Sequence, residues 1–373
     1  MRERGISHRE ASALIWISVL PSVFLLEPSM TIARAGTAAW LVKIGSGLLF
    51  LALSLWVAVM VGRYARRRGA FTFGDFLAQQ LGRSGARCVL TLWAGLLTLH
   101  LILVLRTVAE STAKTALQQS EVSLPLVLLG GAMMVGVRQE LTALLRTAYL
   151  LVIGAGGLVA VLALLLFPMW EAELLLPWQG YGLEKVAREA FCDMGTWCAG
   201  TVVFLLFPMM RAESGAHRAL VRGVVGVMVI KCTVLLSALA VFGSVVGAER
   251  SFLFYEMAKL IHFSQYIQRV EAIFVCAWLM VVFLAMIVFV RIIAMLLSDV
   301  LALSDGRPLM PLIISATAVS ALLVSDLAST VELGEMLGYT IAPIVFGVTV
   351  GVMTVGYCLR RRVDHAMRMG GGD

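Results

Sequence analysis

The stretch SVLPSVFLLEPS (residues 18–29) interrupts the first long apolar segment of the chain with two prolines and a carboxylate. Pro21 lacks a backbone N–H and its ring clashes with the preceding helical turn, so it ends or kinks a helix. Inside a membrane, a broken backbone is tolerated only where protein buries it or where it lines a water-filled cavity. The meaning of this stretch therefore depends on whether the chain spans a membrane.

The composition is that of a membrane protein. Hydrophobic residues make up 60% of the 373 residues, charged residues only 14%, and the mean hydropathy is +0.92. Apolar runs recur along the whole chain, which predicts an all-α polytopic membrane protein. The basic residues behind the isoelectric point of about 9.3 lie in short segments between these runs. No nucleic-acid-binding motif accompanies them, so we expect a lipid bilayer and no nucleic acid as partner.

We expect ten transmembrane helices in a single domain that covers residues 1–373. The fourth and ninth spans are short for a helix of about 20 residues that crosses a bilayer. The predicted spans are 11–33, 37–62, 88–109, 123–137, 142–167, 190–210, 223–247, 270–297, 309–325 and 339–359.

The distribution of basic residues predicts the topology. Of the 30 lysines and arginines, 19 lie in segments on the side of the N-terminus and 9 in segments on the opposite side. Cytoplasmic loops carry the excess of Lys and Arg, so we expect both termini to be cytoplasmic. An even number of spans agrees, because it places both termini on one side of the membrane.

The first and sixth spans are both interrupted. Pro21 and Ser22 lie near the middle of the first, and Gly195 and Gly200 lie near the middle of the sixth. These spans are five apart, as a five-plus-five inverted repeat would place them. Matching interruptions in two halves point to a transporter-type substrate site. The alternative is that prolines and glycines merely kink these helices.

Residues at the two breaks are the candidate ligand-binding residues. Half-helix ends offer free backbone N–H and carbonyl groups to a ligand. We expect Phe24 and Trp197 to form walls, and the hydroxyls of Ser22 and Thr201 to add polar contacts. The full candidate set is Pro21, Ser22, Val23, Phe24, Thr196, Trp197, Cys198, Ala199, Gly200 and Thr201.

Two charged residues inside spans form a possible gate or ion pair. Glu27 either caps the half-helix near the outer interface, where it stands at the entrance to the pocket, or takes part in such a pair. Lys231 either snorkels to the cytoplasmic side or pairs with an acid in the bundle.

Catalytic and metal-binding motifs are absent from the sequence. No HExxH, Walker A or Ser-His-Asp pattern occurs in a plausible context. The six cysteines have no CxxC spacing. We therefore expect no enzyme activity, no cofactor and no metal site. Two glycine pairs, Gly243/Gly247 and Gly347/Gly351, suit close helix packing within the chain or against a partner.

Short segments along almost the whole chain resemble one family in their order and spacing. They are ISHRE (6–10), ARAGTAAW (33–40), RTVAESTAKTAL (106–117), LLLPWQGYGLEKVAREAF (174–191), TVVFLLFPM (201–209), YEMAKLIHFSQYIQRVEAIFVCAW (255–278) and DGRPLMPLI (305–313). The chain resembles the spore-germination permeases, the B subunits of nutrient germinant receptors. These belong to the amino acid–polyamine–organocation transporter superfamily.

The resemblance implies ten helices, broken first and sixth helices, and a midplane pocket for an amino acid, sugar or nucleoside. It also implies a partner A subunit, a C-subunit lipoprotein and the inner membrane of a bacterial endospore. Two positions depart from the family. Pro21-Ser22-Val23 stands where members have a glycine-containing break, and Ala199-Gly200 stands where many have Gly-Glu. Without that carboxylate, we expect a neutral or weakly polar ligand rather than a basic one.

Three functions follow as hypotheses. The first, which the resemblance favours, is a nutrient-sensing membrane subunit of a germinant receptor with a transporter-like pocket. The second is a secondary transporter that moves an amino acid or other small solute alone. The third is a ligand-independent structural subunit of a receptor complex.

Overall fold

The computed structural model describes residues 6–66, 71–115, 120–210, 213–261 and 271–369. Every regular element in these ranges is helical, apart from a single bridge between Ile6 and Met210. The α-helices are α1 (His8–Val19), α2 (Pro21–Phe24), α3 (Glu27–Ala35), α4 (Ala39–Ala65), α5 (Phe73–Thr115), α6 (Ser123–Gly136), α7 (Leu141–Leu166), α8 (Leu183–Asp193), α9 (Glu213–Glu249), α10 (Leu253–Lys259), α11 (Glu271–Leu301), α12 (Leu309–Leu323), α13 (Leu327–Glu335) and α14 (Ala342–Met369).

The structure confirms the all-helical membrane fold. Among the described residues, seven helical segments are long and apolar enough to cross a membrane, and α6 and α12 are apolar but shorter. Large apolar side chains such as Leu150, Leu164 and Leu323 are more than 70% exposed on the outside of the bundle. Such a surface suits lipid rather than water. The number of crossings, ten, stays a prediction.

The first span is broken where the prolines stand. α1 begins with a capping box, in which Ser7 and Glu10 satisfy each other's backbone N–H groups. It ends at Val19 with Leu20 as its C-cap, directly before Pro21, and the four-residue α2 follows. The chain then turns and restarts as α3 at Glu27, with Pro28 in the first helical turn. Pro fits that turn because the N–H it lacks would be unsatisfied there.

The sixth span is broken by a change of helix type. α8 ends at Asp193, and a 3-10 helix continues from Met194 to Met209. Long 3-10 stretches are uncommon and often mark functional positions. Opposite it, a π-helix over Met336–Ile341 separates α13 from α14. Gly195 allows the two irregular segments to touch, because a Cβ there would collide with the backbone carbonyl of Gly338.

Two segments outside the predicted spans join the bundle. Residues 72–82 form the beginning of α5, which bends at Gly82 (φ 77°) and buries Phe76 and Leu77. Within the segment 251–269, α10 buries Leu253, Phe254 and Met257 against the protein. The part of that segment from 262 onward lies outside the described residues.

Helix packing places α1 at the centre of the bundle. It packs against α7, α9 and the 3-10 helix, while α4 packs against α8, α9 and the 3-10 helix. α5 packs against α11, α12 and α14. The breaks of the first and sixth spans are therefore neighbours inside the protein.

Candidate functional site

A cavity of about 150 Å3 lies beside the two breaks. Its walls are mostly aliphatic, from α5, α13 and the residues around the first break. Polar groups reach it from each wall: Ser18, Ser22 and Glu27 from the first span, His100 and Thr107 from α5, Thr196 from the 3-10 helix, Thr330 from α13 and Tyr339 from the π-helix. A cavity of this volume accommodates a molecule about as large as benzene.

Half of the predicted ligand-binding residues line this cavity. They are Pro21, Ser22, Thr196, Cys198 and Ala199. The other five, Val23, Phe24, Trp197, Gly200 and Thr201, lie outside its lining. Ligand binding by the ten residues stays a prediction.

The 3-10 helix explains why the predicted residues of the sixth span lie on different sides. With three residues per turn, Thr196 and Ala199 share one face and Trp197 and Gly200 share another. The second face packs against α1 and α4: a Cβ on Gly200 would lie 3.3 Å from Val19. The Trp197 indole donates a hydrogen bond to Ser46 Oγ at 2.9 Å. Thr201 donates its hydroxyl to the Cys198 carbonyl at 2.6 Å.

The residues at the first break also divide between the cavity and the protein interior. Phe24 turns away from the cavity and packs edge-on against Phe254 of α10, with 4.6 Å between ring centroids. Val23 is buried with 1% of its surface exposed. Phe24 therefore faces α10 rather than the cavity.

Four charged side chains lie buried beside the cavity, and one of them, Glu27, also lines it. Glu27 Oε1 accepts hydrogen bonds from Lys43 Nζ and Lys231 Nζ, both at 2.6 Å. Lys43 also donates to Asp193, so one ammonium group links the first and sixth spans. None of the four side chains is more than 7% exposed. Two acids and two bases make this network neutral overall.

Uncharged donors complete the network. The Ser22 hydroxyl donates to Glu27 Oε2, Ser46 Oγ donates to Asp193 Oδ2 at 2.7 Å, and the Tyr339 hydroxyl donates to Asp193 Oδ1 at 3.2 Å. Buried ions are tolerated when paired and hydrogen-bonded in this way. Tyr339 and Ser22 also line the cavity, so they connect the network to it.

The structure resolves the alternatives for the two charged residues that the sequence singled out. Glu27 is the first residue of α3, but its carboxylate points inward to the two lysines rather than standing free at an outer entrance. Lys231 pairs with that acid and does not extend to the cytoplasmic side; its Nζ also lies 4.7 Å from the centre of the Trp197 ring.

Sequence reasoning missed Lys43, Asp193 and His100. The signal for the first two was available, because both are charged residues inside predicted spans, where ionisable groups are usually functional. His100 carries the same signal in the third span.

Ion pairs also lie at the two ends of the site. The Arg34 guanidinium of α3 lies 3.1 Å from Glu335 of α13, 3.8 Å from Glu189 of α8 and 3.8 Å above the Tyr339 ring. At the opposite end, Glu10 of α1 pairs with Arg146 of α7 at 2.8 Å. These contacts hold the first span against its neighbours on both sides of the cavity.

The glycine pairs differ in their surroundings. A Cβ on Gly243 would contact Leu174, and one on Gly247 would lie 3.3 Å from Ile32, so this pair packs within the chain. Cβ atoms on Gly347 and Gly351 would meet open space.

Two broken helices beside a cavity, in an all-helical bundle, define a transporter-type membrane fold. The fold is similar to that of a Na+-coupled sialic acid symporter solved in a substrate-bound outward-open state. The TM-score is 0.69 at 9% sequence identity, covering 94% of this chain and 79% of that one. At that identity the likeness concerns the fold alone. No curated protein matches the chain.

The sequence itself gives the closer assignment. Residues 5–329 match the model of the Spore_permease family, described as spore germination protein. The chain therefore belongs to the spore germination permease family, as the resemblance of its motifs indicated.

Proposed function

We propose that this chain is the nutrient-sensing membrane subunit of a spore germinant receptor. Family membership supplies the context, and the cavity at the two helix breaks is the observation that carries the proposal. A ligand that binds there contacts both broken spans and α5, α13 and the π-helix at once. Binding would bias the bundle between two arrangements, and a partner subunit would respond to the change.

The charge balance of the site supports a ligand with no net charge. Both carboxylates near the breaks are already neutralised by Lys43 and Lys231. A ligand with net charge would lack a counter-ion among the described cavity residues, and burying an unpaired charge is costly. A neutral or zwitterionic molecule avoids this cost.

A small α-amino acid is the ligand that we favour. Pro21 and Ser22 line the cavity, and carbonyl groups freed at this helix break suit an amine. The first N–H groups of α3 have no acceptor within that helix and suit a carboxylate. The aliphatic walls would take a compact side chain.

Sodium coupling is not part of the proposal. The sialic acid symporter of similar fold is Na+-coupled. In this chain, ammonium groups already occupy the positions opposite Glu27 and Asp193. We propose that ligand binding is independent of Na+.

The partners and location that we propose follow from the family. They are a germinant-receptor A subunit, a C-subunit lipoprotein and the inner membrane of the endospore, with both termini in the cytoplasm. The open glycine pair Gly347/Gly351 is a candidate face for the A subunit, because small residues let helix backbones approach closely.

The second candidate is a secondary transporter. Ion pairs at both ends of the cavity, Arg34–Glu335 and Glu10–Arg146, favour it, since they could open in alternation. Uptake of a radiolabelled amino acid by the purified chain in liposomes separates the two: a transporter accumulates it, and a sensor binds it without uptake.

A thermal-shift screen of the purified full chain tests the sensing proposal. A molecule that binds only the native state raises the melting temperature. We expect neutral amino acids to do so and Ala199→Leu, which fills the cavity, to abolish the shift. Ala132→Leu is the matched control, because it adds the same atoms on the exposed face of α6. Equal shifts in both variants would contradict a ligand site at this cavity.

A further inference from the structure

Two polar side chains of the cavity have no hydrogen-bond partner within the described residues. Ser18 Oγ is buried, with 3% of the residue exposed, and it makes no hydrogen bond. The His100 imidazole is partly buried; it has an edge-on contact with Phe289 at 5.3 Å between centroids and no hydrogen bond within the same ranges. Buried polar groups are normally satisfied, so the unpaired Ser18 hydroxyl calls for an explanation.

His100 faces the cavity rather than the lipid. Residues three and four apart share one face of an α-helix, so Leu97, Val104 and Thr107 lie on the same face of α5 as His100. All four line the cavity. The aliphatic neighbours make the imidazole the strongest hydrogen-bonding group on this wall.

The threonine hydroxyls of the cavity are already engaged as donors. Thr107 donates to Leu103, Thr196 to Asp193 and Thr330 to Asp326, each to a backbone carbonyl. A neutral imidazole offers one donor and one acceptor. A ligand in the cavity could pair with both.

We infer that His100 is a specificity-determining residue that selects ligands with one neutral polar group on an otherwise apolar side chain. Ser18, one turn before Pro21, contacts the part common to all ligands, at the break. This inference rests on the proposed function, because it assumes that an amino acid occupies the cavity. It goes further in naming the side-chain chemistry that the site prefers.

The physical basis is the cost of an unsatisfied polar group. A site that can hydrogen-bond a substrate discriminates against an isostere that lacks the group, because the buried partner is then left unpaired. Removing His100 leaves an apolar wall, which favours the hydrocarbon isostere instead. The selectivity should therefore reverse.

Two isosteric pairs of probes test this: L-threonine with L-valine, and L-asparagine with L-leucine. The pairs place the polar atoms at different distances from the α-carbon. Dissociation constants are measured on the purified full chain by thermal shift or calorimetry. We expect the polar member of at least one pair to bind about tenfold more tightly to the unmodified protein.

Two variants complete the test. His100→Phe keeps a ring against Phe289 but removes both nitrogens, and should reverse the preference. His100→Gln restores a polar group and should recover the preference for the polar member. Ser18→Ala should weaken the binding of all four probes by a similar factor.

The failures are distinguishable. Preferences that are the same in the unmodified protein and in His100→Phe would overturn the role of His100 and leave amino-acid sensing intact. No stabilisation of the unmodified chain by any of the four amino acids would overturn the amino-acid site itself, and this inference with it.

Discussion

Lys231 Nζ lies 2.6 Å from Glu27 Oε1, so α9 is joined by a buried ion pair to the residue at which the first span restarts after its break. The same carboxylate receives Lys43, which in turn reaches Asp193 at the end of α8. The break is therefore held by charge as well as by packing, and the broken halves of two spans share one network.

Loss of one charge from this network should destabilise the protein strongly. Lys231→Met leaves the two acids with a single base, and an uncompensated buried charge costs about 3–5 kcal/mol. We expect a clear fall in melting temperature. Lys259→Met is the control: its pair with Glu256 is 3.7 Å long and half-exposed, so it should change stability by less than about 1 kcal/mol.

A second substitution should recover part of that loss. The double variant Glu27→Gln with Lys231→Met leaves Lys43 and Asp193 as a balanced pair. Its free energy of unfolding should fall by less than the sum of the losses in the two single variants. Additive effects in this double-mutant cycle would contradict the network.

Arg34 should control access to the cavity from the outer end. Its contacts with Glu335 and Glu189 join α3 to α13 and α8. In a background with Cys198 as the sole cysteine, Arg34→Gln should speed the reaction of that thiol with a membrane-impermeant reagent several-fold. Arg250→Gln, which loses a pair with Glu256 away from the cavity, should not. The same rate in both variants would rule out a gate at Arg34.

Gly195 should tolerate no side chain. A Cβ would collide with the Gly338 carbonyl and with Pro343, both backbone-constrained, so Gly195→Ala must push the 3-10 and π segments apart. We expect a loss of about 1–3 kcal/mol, as for overpacked cores. Gly157→Ala is the matched control. Its Cβ meets open space on α7, so the free energy of unfolding should stay the same or rise. Equal stability of the two variants would show that the close contact is not required.

The proposed topology can be checked with single cysteines. We expect Gln179→Cys to react with an impermeant reagent added outside intact cells, and Arg87→Cys to react only after permeabilisation. The motive is the excess of basic residues on the side of the termini. The reverse pattern of labelling would mean that the protein has the opposite orientation in the membrane.

The break at Pro21 was predictable, because a proline in the interior of a helix lacks the N–H to donate and clashes with the preceding turn. The division of residues in the sixth span was not. Trp197 and Gly200 looked like part of the pocket, and only the 3-10 periodicity moves them to another face. The pairing of Lys43 with Asp193 joins residues 150 positions apart, which spacing along one chain cannot reveal. His100 was recognisable in the sequence as an ionisable residue in a span. Its proposed role depends on the cavity beside it, which the sequence does not reveal.

Photo-crosslinking locates a bound ligand most directly. The purified chain would be irradiated with photo-leucine, the diazirine analogue of leucine, and the modified residues identified by mass spectrometry. The account predicts adducts on cavity residues of the first break and α5, such as those within 18–30 and 96–107, that excess unlabelled neutral amino acid suppresses. Adducts confined to lipid-facing residues such as Leu150 and Leu323, or labelling that no neutral amino acid reduces, would contradict a ligand site between the two broken spans.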